Sequence, residues 1–598
     1  MNYNICNYGA DPTGIRPSTD AINRAIEACA AAGGGYVDVP AGSYVSGTIR
    51  LLDHVYLNLH PGSTILGSEH LSDYTGTTRG CPWYTVQKDL TGNYNINPCK
   101  ALIVADRKCD CGLVGYGTID GRRSHQHGYT AEKGRPFLVV FSECQNSRVC
   151  DVTLKNSGYF TFYGLNCTDL LIHGVTIRTA DSINGDGLDF DGGKRITISD
   201  CNIDAGDDAI GLKTLNPSEP CEDFTITGCT LRSKNWAAVR IGPESAGDMR
   251  RINVQGCCMY DCGDGFKLQL TQNAVFEDFN FTNITMTDVL RPIFFTLNRY
   301  NMSAYEYRTR PVAGKIRRIN LSNITATMRP TAHFDDLTIY AGNFISALPG
   351  EAIEDITLQN VHIIAPGEGS EADAVRTENH GEMYDFWHMY PEHVTNLGDY
   401  PSAVLYVRHA KGIKLRDCVL EARGADPRAA LAAECVDGLQ LLGCEARGCG
   451  SLVRHYRCDR MRVSDCDGEV VGFTPEQSEA WERFRALSLN VDARLEALAC
   501  EVDTARSMKV VQRYSASEAV VEKNGKRQYL LIPKCSGCFS VLVNGEELCR
   551  FELPKLYRTP VPFACDLSSA LQSGDNTVTL RGIEDFKLLG DMLIAVDE

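Results

Sequence analysis

Ile196-Thr-Ile-Ser-Asp-Cys-Asn-Ile203 decides the fold, because the phrase returns 28 residues later as Phe224-Thr-Ile-Thr-Gly-Cys-Thr-Leu231. Its alternation of apolar and polar residues is typical of a half-buried strand. Three more copies follow the same spacing of 26 to 28 residues, at Leu170–Ile177, Ile252–Met259 and Phe279–Met286. A repeat this short holds only a few strands and turns, so each copy has to stack on its neighbours to bury its apolar side chains.

The stacked repeat extends well beyond these copies. Further copies, separated by longer insertions, continue to about residue 470. The widest insertions, 325–355 and 362–412, hold His, Tyr, Trp, Arg and acidic residues, as loops that wall a groove would. The segment 18–32 is amphipathic and predicts a helix that caps the open end. The sequence therefore predicts an all-β fold, a right-handed parallel β-helix over residues 1–470.

The composition changes after the last repeat. Residues 471–510 are rich in Glu, Ala, Leu and Arg, which predicts a helical connector. Residues 511–598 hold short alternating runs separated by turns such as Asn544-Gly545, and this pattern predicts a small β-sandwich.

Charge and hydropathy limit the partners of the chain. The formal net charge of −17 would repel nucleic acid and anionic membrane surfaces. The sequence contains no run of 18 apolar residues, and its first residues show no basic segment followed by an apolar one. We therefore expect a cytoplasmic protein with no nucleic-acid or membrane partner, while a homo-oligomer stays possible.

The 26 cysteines do not indicate a disulfide scaffold, because a long chain without a secretion signal is expected to keep its thiols reduced. Cys201, Cys229 and Cys257 share one repeat position and are interpreted as small apolar fillers. Cys109-Asp-Cys111 and Cys535-Ser-Gly-Cys538 lack a second Cys or His pair. The spacing therefore argues against structural zinc.

Stacking the strands that follow each repeat brings three aspartates together. In this alignment Asp186-Gly-Leu-Asp-Phe190 lies on Asp208-Ala-Ile-Gly-Leu212, then on Ala237–Ile241 and Asp264–Leu268. Adjacent parallel strands lie ~4.8 Å apart, so Asp186, Asp208 and the neighbouring Asp207 share one patch of surface. Like charges this close raise at least one pKa. One carboxyl can then protonate a leaving oxygen while another draws a proton from water, as glycoside hydrolysis requires.

Two other interpretations of these acids stay open. Asp and Gly are common in solenoid turns, so Gly206-Asp207-Asp208 is a weak signal by itself. Calcium is the second alternative, because hard cations favour clustered oxygens and four acids crowd one turn, Asp181, Asp186, Asp189 and Asp191. Their spacing matches no fixed calcium loop, so we expect no metal. Asp264, two coils beyond Asp208, is interpreted as a turn residue.

Two motifs resemble those of glycoside hydrolase family 28, the polygalacturonase and rhamnogalacturonase family. Asn184-Gly-Asp186-Gly-Leu-Asp189 is similar to its Asn-x-Asp motif, and Gly206-Asp207-Asp208-Ala-Ile-Gly-Leu-Lys213 to its Asp-Asp motif. The resemblance covers about residues 3–470 and implies an inverting hydrolase without metal or organic cofactor. It also implies roles for the three acids: Asp207 as general acid, with Asp186 and Asp208 activating the water.

Other stretches extend the resemblance. Asn7–Gly14 and Gly33–Gly42 are similar to the N-terminal coil of the family, and Ala403–Gly412 resembles a phrase of its bacterial members. Near the C-terminus, Val541–Leu548 looks like the galactose-binding-like modules attached to many glycosidases. The module is interpreted equally well as a sugar binder or as a packing and oligomer contact.

The sequence departs from the family where polygalacturonases hold the carboxylate of a uronate. It has Ala237-Ala238 in place of His-Gly, and Lys267-Leu-Gln269 in place of Arg-Ile-Lys. A neutral Gln269 cannot replace a positive charge, so cations of neighbouring coils would have to supply it. The candidate substrate-binding residues are Lys213, Trp236, Arg240, Lys267, Gln269, Arg408 and His409. Trp236 is as well suited to packing as to stacking on a sugar, and a structural role is favoured for Arg408 and His409.

These features favour an exo-acting glycoside hydrolase whose partner is a pectin-derived or related oligosaccharide. The altered motifs also permit a carbohydrate-binding or assembly protein that has lost catalysis on the same fold. A β-helix lyase has less support, because it would need a base beside a cation that neutralises a uronate, whereas three acids suit hydrolysis.

Overall fold

The computed structural model describes residues 3–79, 99–122, 135–182, 184–233, 236–271, 273–297, 314–333, 338–339, 341–377, 400–552, 561–589 and 591–597. The chain forms two compact units. The first holds the described residues up to Ser478, and the second holds those from Glu479 onward. Within these ranges no helix is long and apolar enough to cross a membrane.

The first unit is a right-handed parallel β-helix, which confirms the predicted fold. In the described part of this unit, 34 strands join one sheet. The strands are Tyr3–Asn4, Thr13–Pro17, Gly35–Val39, Gly42–Ser46, Ile49–Arg50, Val55–Leu59, Ser63–Gly67, Ala101–Asp106, Gly112–Gly115, Thr118–Asp120, Phe137–Ser142, Gln145–Cys150, Thr153–Lys155, Phe162–His173, Thr176–Arg178, Leu188–Ser199, Asn202–Ala205, Ile210–Thr214, Cys221–Thr227, Thr230–Ser233, Ala237–Ser245, Met249–Gln255, Cys258–Leu270, Val275–Leu297, Lys315–Met328, Asn343–Ala347, Ile353–Ala365, Ser402–Lys411, Lys414–Arg416, Val419–Asp437, Gln440–Leu442, Glu445–Tyr456, Arg462–Ser464 and Val470–Gly472.

Each coil contributes strands to three faces. In one coil Ile210–Thr214, Cys221–Thr227 and Thr230–Ser233 pair in parallel with strands of the preceding coil. Side chains on the inner side of each face stack from coil to coil. One such ladder consists of Phe190, Leu212, Ile241 and Leu268, all fully buried. Each buried side chain of this kind contributes roughly 1.5–3 kcal/mol, so the repeat is stable only as a stack.

A helix at Thr19–Ala31 follows the first strands, as its amphipathic pattern predicts. It buries one face made of Ala21, Ile22, Ala25, Ile26 and Cys29. This face packs into the apolar core of the solenoid. Shorter elements of the unit are the 3-10 turns Ile5–Tyr8 and Leu71–Asp73, the helix Glu371–Ala374, and a hairpin of Ala332–His333 with Thr338–Ile339.

One charged residue precedes each repeated phrase, and these residues form a row of exposed ion pairs along one bend of the coils. We call this row the charge ladder, and its members are Asp169, Arg195, Asp223, Arg251, Asp278 and Arg318. All six have left-handed backbone, with φ between 55° and 63°. Arg195 donates to Asp169 at 2.6 and 2.9 Å, and the next two Arg–Asp pairs repeat the fork. The sign of the charge therefore alternates from coil to coil.

The cysteines that the structure describes are free thiols. Cys201, Cys229 and Cys257 lie on one buried rung, and each thiol donates to the carbonyl two residues before it at 3.3 to 3.4 Å. Hydrogen bonding with Cys201 and burial raise the pKa of Cys229 to about 12. These thiols fill the coil interior, as the sequence predicts, and the cytoplasmic location stays a prediction.

The second unit contains most of helix Pro475–Arg506, which lies inside the predicted connector. An antiparallel sheet follows, and its long strand Gln528–Val543 pairs with four others. The strands are Lys509–Tyr514, Glu518–Glu522, Gln528–Val543, Glu546–Phe551, Val561–Asp566, Asp575–Leu588 and Met592–Val596. A two-layer, galactose-binding-like sandwich over 511–598 stays a prediction.

Candidate active site

The strand register places the three aspartates together. Leu188 pairs with Ile210, Ile210 with Val239, and Val239 with Phe266. Position 186 therefore lies beside position 208 of the next coil, as the alignment of the repeats predicts.

Asp186, Asp207 and Asp208 form one cluster, which we call the acid trio. A carboxylate oxygen from each lies within 4.8 Å of the other two. Asp186 and Asp208 are only 3% and 2% exposed, whereas Asp207 is half-buried. Asp207 is therefore the member of the trio that a ligand can reach most easily.

The environment raises two of the three pKa values. Burial, followed by the negative charges of Asp186 and Asp208, raises the pKa of Asp207 well above its usual range. Burial also raises the pKa of Asp208, although the positive charge of Arg240 opposes this effect. A proton is thus retained on the half-buried Asp207 at a pH where an ordinary aspartate is ionised.

Two buried cations hold the other members of the trio. Lys213 Nζ lies 3.2 Å from Asp186 Oδ2 and 3.0 Å from Asp189 Oδ1. Burial alone would lower the pKa of Lys213, but the charges of Asp189 and Asp186 raise it well above its usual value. Asp208 accepts a hydrogen bond from the Ala237 amide at 3.0 Å. Arg240 Nη1 lies 3.5 Å from Asp208 Oδ2.

Asp207 is oriented by a two-step hydrogen-bond relay. Asn184 Nδ2 donates to Asp207 Oδ2 at 3.3 Å, and Arg135 Nη2 donates to Asn184 Oδ1 at 2.8 Å. The other oxygen of Asp207 accepts from the amide of Asp208 at 3.0 Å. Arg135 is itself buried and lies over the ring of Tyr159, 4.7 Å from its centroid. The relay therefore fixes the acid from the preceding coil.

A second ionic layer lies next to the trio. The sequence predicts Asp264 to be a turn residue, but in the structure it lies inside strand Cys258–Leu270 and is fully buried. Arg291 donates to both of its oxygens at 2.6 and 2.9 Å, and Lys267 Nζ lies 3.3 Å from it. The half-buried Trp236 ring lies 5.8 Å from Lys267 Nζ.

The candidate cations are therefore already paired. Lys213, Arg240, Lys267 and Arg291 each have a carboxylate oxygen within 3.5 Å. Gln269 is fully buried and accepts from Arg240 Nη2 at 2.9 Å. A uronate bound here would have to share these cations with the protein's own carboxylates.

Arg408 and His409 are not brought to the acids. Gln269 pairs with Thr296, Thr296 with Ser346, and Ser346 with Arg408, so three strand spacings of ~4.8 Å separate Gln269 from Arg408. Arg408 is buried and donates to Ser346 Oγ at 3.1 Å. A substrate contact by either residue stays a prediction.

The acids of the calcium alternative have other partners. Asp189 faces Lys213, and Asp191 accepts from Tyr163 Oη at 3.1 Å and from the amide of Leu215 at 2.8 Å. Burial raises the pKa of Asp191 to about 6. An ammonium group thus lies where a shared cation would have to bind, which disfavours calcium.

The sequence interpretation missed three residues near the trio: Arg135, Asn184 as a hydrogen-bond donor, and Glu244. Glu244 is buried, and burial raises its pKa against the opposing charges of Lys213 and Arg240. Its strand, Ala237–Ser245, was in the alignment, so an acid seven residues after Ala237 could have been noticed. No repeated phrase of the sequence includes Arg135.

The chain is similar to known carbohydrate-active proteins. Residues 70–378 match the family described as glycosyl hydrolases family 28. A "Probable polygalacturonase" from Vitis vinifera is 23% identical over 380 residues, which cover 60% of this chain and 73% of that protein. An "Exo-poly-alpha-D-galacturonosidase" from Dickeya chrysanthemi is 26% identical over 291 residues, covering 40% of this chain and 46% of that protein. The chain thus spans less than half the length of the second relative.

Among solved structures, a family 28 exopolygalacturonase from Yersinia enterocolitica is 16% identical. The superposition covers 78% of this chain and 79% of that one, with a TM-score of 0.49.

Proposed function

Because this chain is a glycoside hydrolase that belongs to glycosyl hydrolase family 28, we propose that it removes sugars from the ends of pectin-derived or related oligosaccharides, with inversion at the anomeric carbon. The observation that carries the proposal is the acid trio. Its half-buried member retains a proton, and its two buried members are held by cations.

The proposed reaction assigns one task to each side of the trio. Asp207 gives its proton to the glycosidic oxygen as the bond to the anomeric carbon breaks. Asp186 and Asp208 take a proton from a water molecule while its oxygen attacks the same carbon. Asp186 lies against Lys213 and Asp208 against Arg240, so the two carboxylates that would take the proton are oriented by fixed cations. The proton count balances, since one carboxyl loses a proton and the carboxylate pair gains one.

Burial supports inversion rather than a covalent intermediate. One oxygen from each acid of the trio lies within 4.8 Å of one oxygen from the other two, closer to the roughly 5–5.5 Å between the carboxyl groups of retaining enzymes than to the roughly 6.5–9.5 Å of inverting ones. A nucleophile, however, has to touch the anomeric carbon. Asp186 and Asp208 are only 3% and 2% exposed and are engaged by Lys213 and Arg240, which disfavours a direct bond from either carboxylate to the sugar carbon.

Action from a chain end is supported by two observations. The predicted insertions 325–355 and 362–412 contain the solenoid strands Asn343–Ala347 and Ser402–Lys411, but long stretches of sequence still precede both strands, and their His, Tyr, Trp, Arg and acidic residues are typical of loops that wall a groove. In addition, relatives from Dickeya chrysanthemi and Zea mays carry exo-acting names.

The test is the release of sugars from a panel of pectic oligosaccharides and neutral and uronic nitrophenyl glycosides. We expect single sugars to be released and Asp207→Asn to lower kcat by roughly 10²–10⁴-fold. Asp200→Asn, an exposed aspartate of the same coil, is the matched control and should stay within about twofold of the wild type. Proton NMR of the first product should show the inverted anomer.

Each alternative gives a different result in this assay. Unchanged release by Asp207→Asn would remove the trio from the mechanism. Saturable binding of a sugar without any release would favour the non-catalytic carbohydrate-binding alternative. Absorbance from a new double bond would indicate a lyase.

A further inference from the structure

Two dipeptides rich in metal-ligating groups lie side by side on neighbouring coils of the solenoid. Asp53-His54 precedes strand Val55–Leu59, and Cys109-Asp110 lies just before strand Gly112–Gly115. These strands pair in parallel, and the amide of His54 donates to the Cys109 carbonyl at 3.0 Å. The backbone therefore holds the two dipeptides against each other.

Their side chains converge on one point. One ligand atom each from His54, Cys109 and Asp110 lies within 4.8 Å of the other two. His54 Nδ1 lies 3.2 Å from Asp110 Oδ2. The carboxylate of Asp53 is adjacent, because its Oδ1 accepts from the Cys109 amide at 2.8 Å. The three converging side chains thus offer one nitrogen, one sulfur and one carboxylate, and Asp53 holds the backbone of Cys109 in place.

Neighbouring residues orient these groups and leave them accessible. Asn146 Nδ2 donates to the other oxygen of Asp110, and Lys108 Nζ lies 3.4 Å from Asp53 Oδ2. The side chains of Asp53, His54 and Asp110 are 44%, 56% and 39% exposed. An ion from solution can therefore reach the cluster, and its outer contacts resemble those that orient metal ligands in proteins.

The donor set selects a class of ion. Imidazole and thiolate favour borderline divalent ions such as Zn²⁺ over Ca²⁺ or Mg²⁺, which prefer oxygen ligands alone. Bond lengths of about 2.0–2.3 Å place tetrahedral ligand atoms roughly 3.3–3.8 Å apart. The present spacing, up to 4.8 Å, closes to that value with side-chain movements of about 1 Å, which exposed residues can make.

We propose that His54, Cys109 and Asp110 bind one Zn²⁺-class divalent ion, which joins two successive coils, while Asp53 positions the Cys109 backbone. The expectation of no metal rests on ligand spacing within single segments of the sequence. In the proposed site the histidine comes from the preceding coil, 55 residues before Cys109. Because a cysteine binds metal as the thiolate, binding would release the Cys109 proton and should strengthen as the pH rises.

Cobalt is the probe, because a Co²⁺–thiolate bond gives a charge-transfer band that oxygen ligands alone do not give. We expect the metal-free full-length protein to bind one Co²⁺ with this band, and Zn²⁺ to remove the band by displacement. Cys109→Ser should abolish the band, and His54→Ala should weaken binding by about 10–100-fold or more. Zn²⁺ should raise the Tm of the wild type but not of Cys109→Ser.

Cys258→Ser is the matched control, because Cys258 is an exposed thiol on another coil. It should keep the band, the stoichiometry and the Zn²⁺-dependent rise in Tm. Metal-free circular dichroism spectra that coincide for all variants show that the substitutions leave the fold intact. An unchanged band in Cys109→Ser, or a wild type that binds Co²⁺ without a thiolate band, would overturn the proposal.

Discussion

Two rows of charged side chains run along the same coils, and they are built in opposite ways. In the charge ladder, aspartate and arginine alternate, so each carboxylate meets a guanidinium of the next coil. At the acid trio, aspartate stacks on aspartate. The ladder is exposed and lowers the pKa of Asp169, Asp223 and Asp278 through hydrogen bonds from arginine. The trio is buried and raises the pKa of Asp207 and Asp208.

The two arrangements of charge serve different purposes: the charge ladder stabilises the repeat, and the acid trio serves the proposed chemistry. Alternating charges stabilise the stack of coils, and any repeat protein can gain from them. Stacked like charges in a buried place oppose folding, and they persist here only because Lys213 and Arg240 offset them. Such a conflict between local energetics and fold is characteristic of functional sites.

Removing Lys213 should give the largest change in stability. Lys213→Met would leave Asp186 and Asp189 buried without their shared cation. Loss of one partner of a buried ion pair costs roughly 3–5 kcal/mol, so we expect the unfolding free energy of the solenoid at pH 7 to fall by about that amount. Urea denaturation followed by circular dichroism measures the loss.

Two controls sharpen this result. Arg195→Met removes a cation of the exposed charge ladder and should leave the denaturation midpoint nearly unchanged. Adding Asp189→Asn to Lys213→Met removes a stranded carboxylate and should recover part of the stability. Equal losses of unfolding free energy from Lys213→Met and Arg195→Met would contradict the view that the buried trio depends on its cation more than the exposed ladder does.

Arg135 should affect catalysis through Asn184. Arg135→Met removes the donor that orients the Asn184 amide, so we expect kcat to fall by about 10–100-fold with little change in KM. The hydrogen bond from Asn184 favours ionised Asp207, and its loss should raise the pKa of that acid further. The alkaline limb of the pH–rate profile, where the acid loses its proton, should therefore move to higher pH.

The pH profile distinguishes positioning from simple destabilisation. Arg135→Lys keeps a donor and should restore part of kcat and return the alkaline limb toward that of the wild type. A fall in kcat with an unmoved limb in Arg135→Met would show that Arg135 supports only the fold around Tyr159.

The sequence predicts a contact between two residues only where both lie at equivalent positions of the repeat. Asp186 and Asp208 could be paired in advance because the phrases around them alternate with period two, and a one-residue slip would turn every apolar side chain outward. The same logic could have found the charge ladder, whose members all precede a repeated phrase.

Contacts between unlike segments could not be predicted in this way. Arg135 lies between strands Thr118–Asp120 and Phe137–Ser142, in a stretch of sequence that no repeated phrase aligns. Asp264 has the composition of a turn residue, and only its partner Arg291 on the next coil makes it a buried ion pair. The meeting of Asp53-His54 with Cys109-Asp110 likewise depends on the length of the coil between them, since neither dipeptide has ligand spacing of its own.

The smallest expected effect comes from the charge ladder and depends on pH. The forked hydrogen bonds from Arg251 hold the pKa of Asp223 below its usual value. A group with a lowered folded-state pKa adds stability above its unfolded pKa, about 3.9 for aspartate, and loses it as the pH falls through the folded value. Asp223→Asn should therefore lower Tm slightly at pH 7 and leave kcat within about twofold of the wild type.

In acid, the Tm of Asp223→Asn should approach that of the wild type, because protonated Asp223 no longer favours the folded state over the unfolded one. The Tm curves of wild type and Asp223→Asn, measured from pH 7 down to pH 3, should thus converge at the acidic end. Added salt at pH 7 should also narrow the gap, because the pair is exposed. A gap that widens in acid, or a loss of activity as large as that of Asp207→Asn, would mean that the ladder is coupled to the trio rather than separate from it.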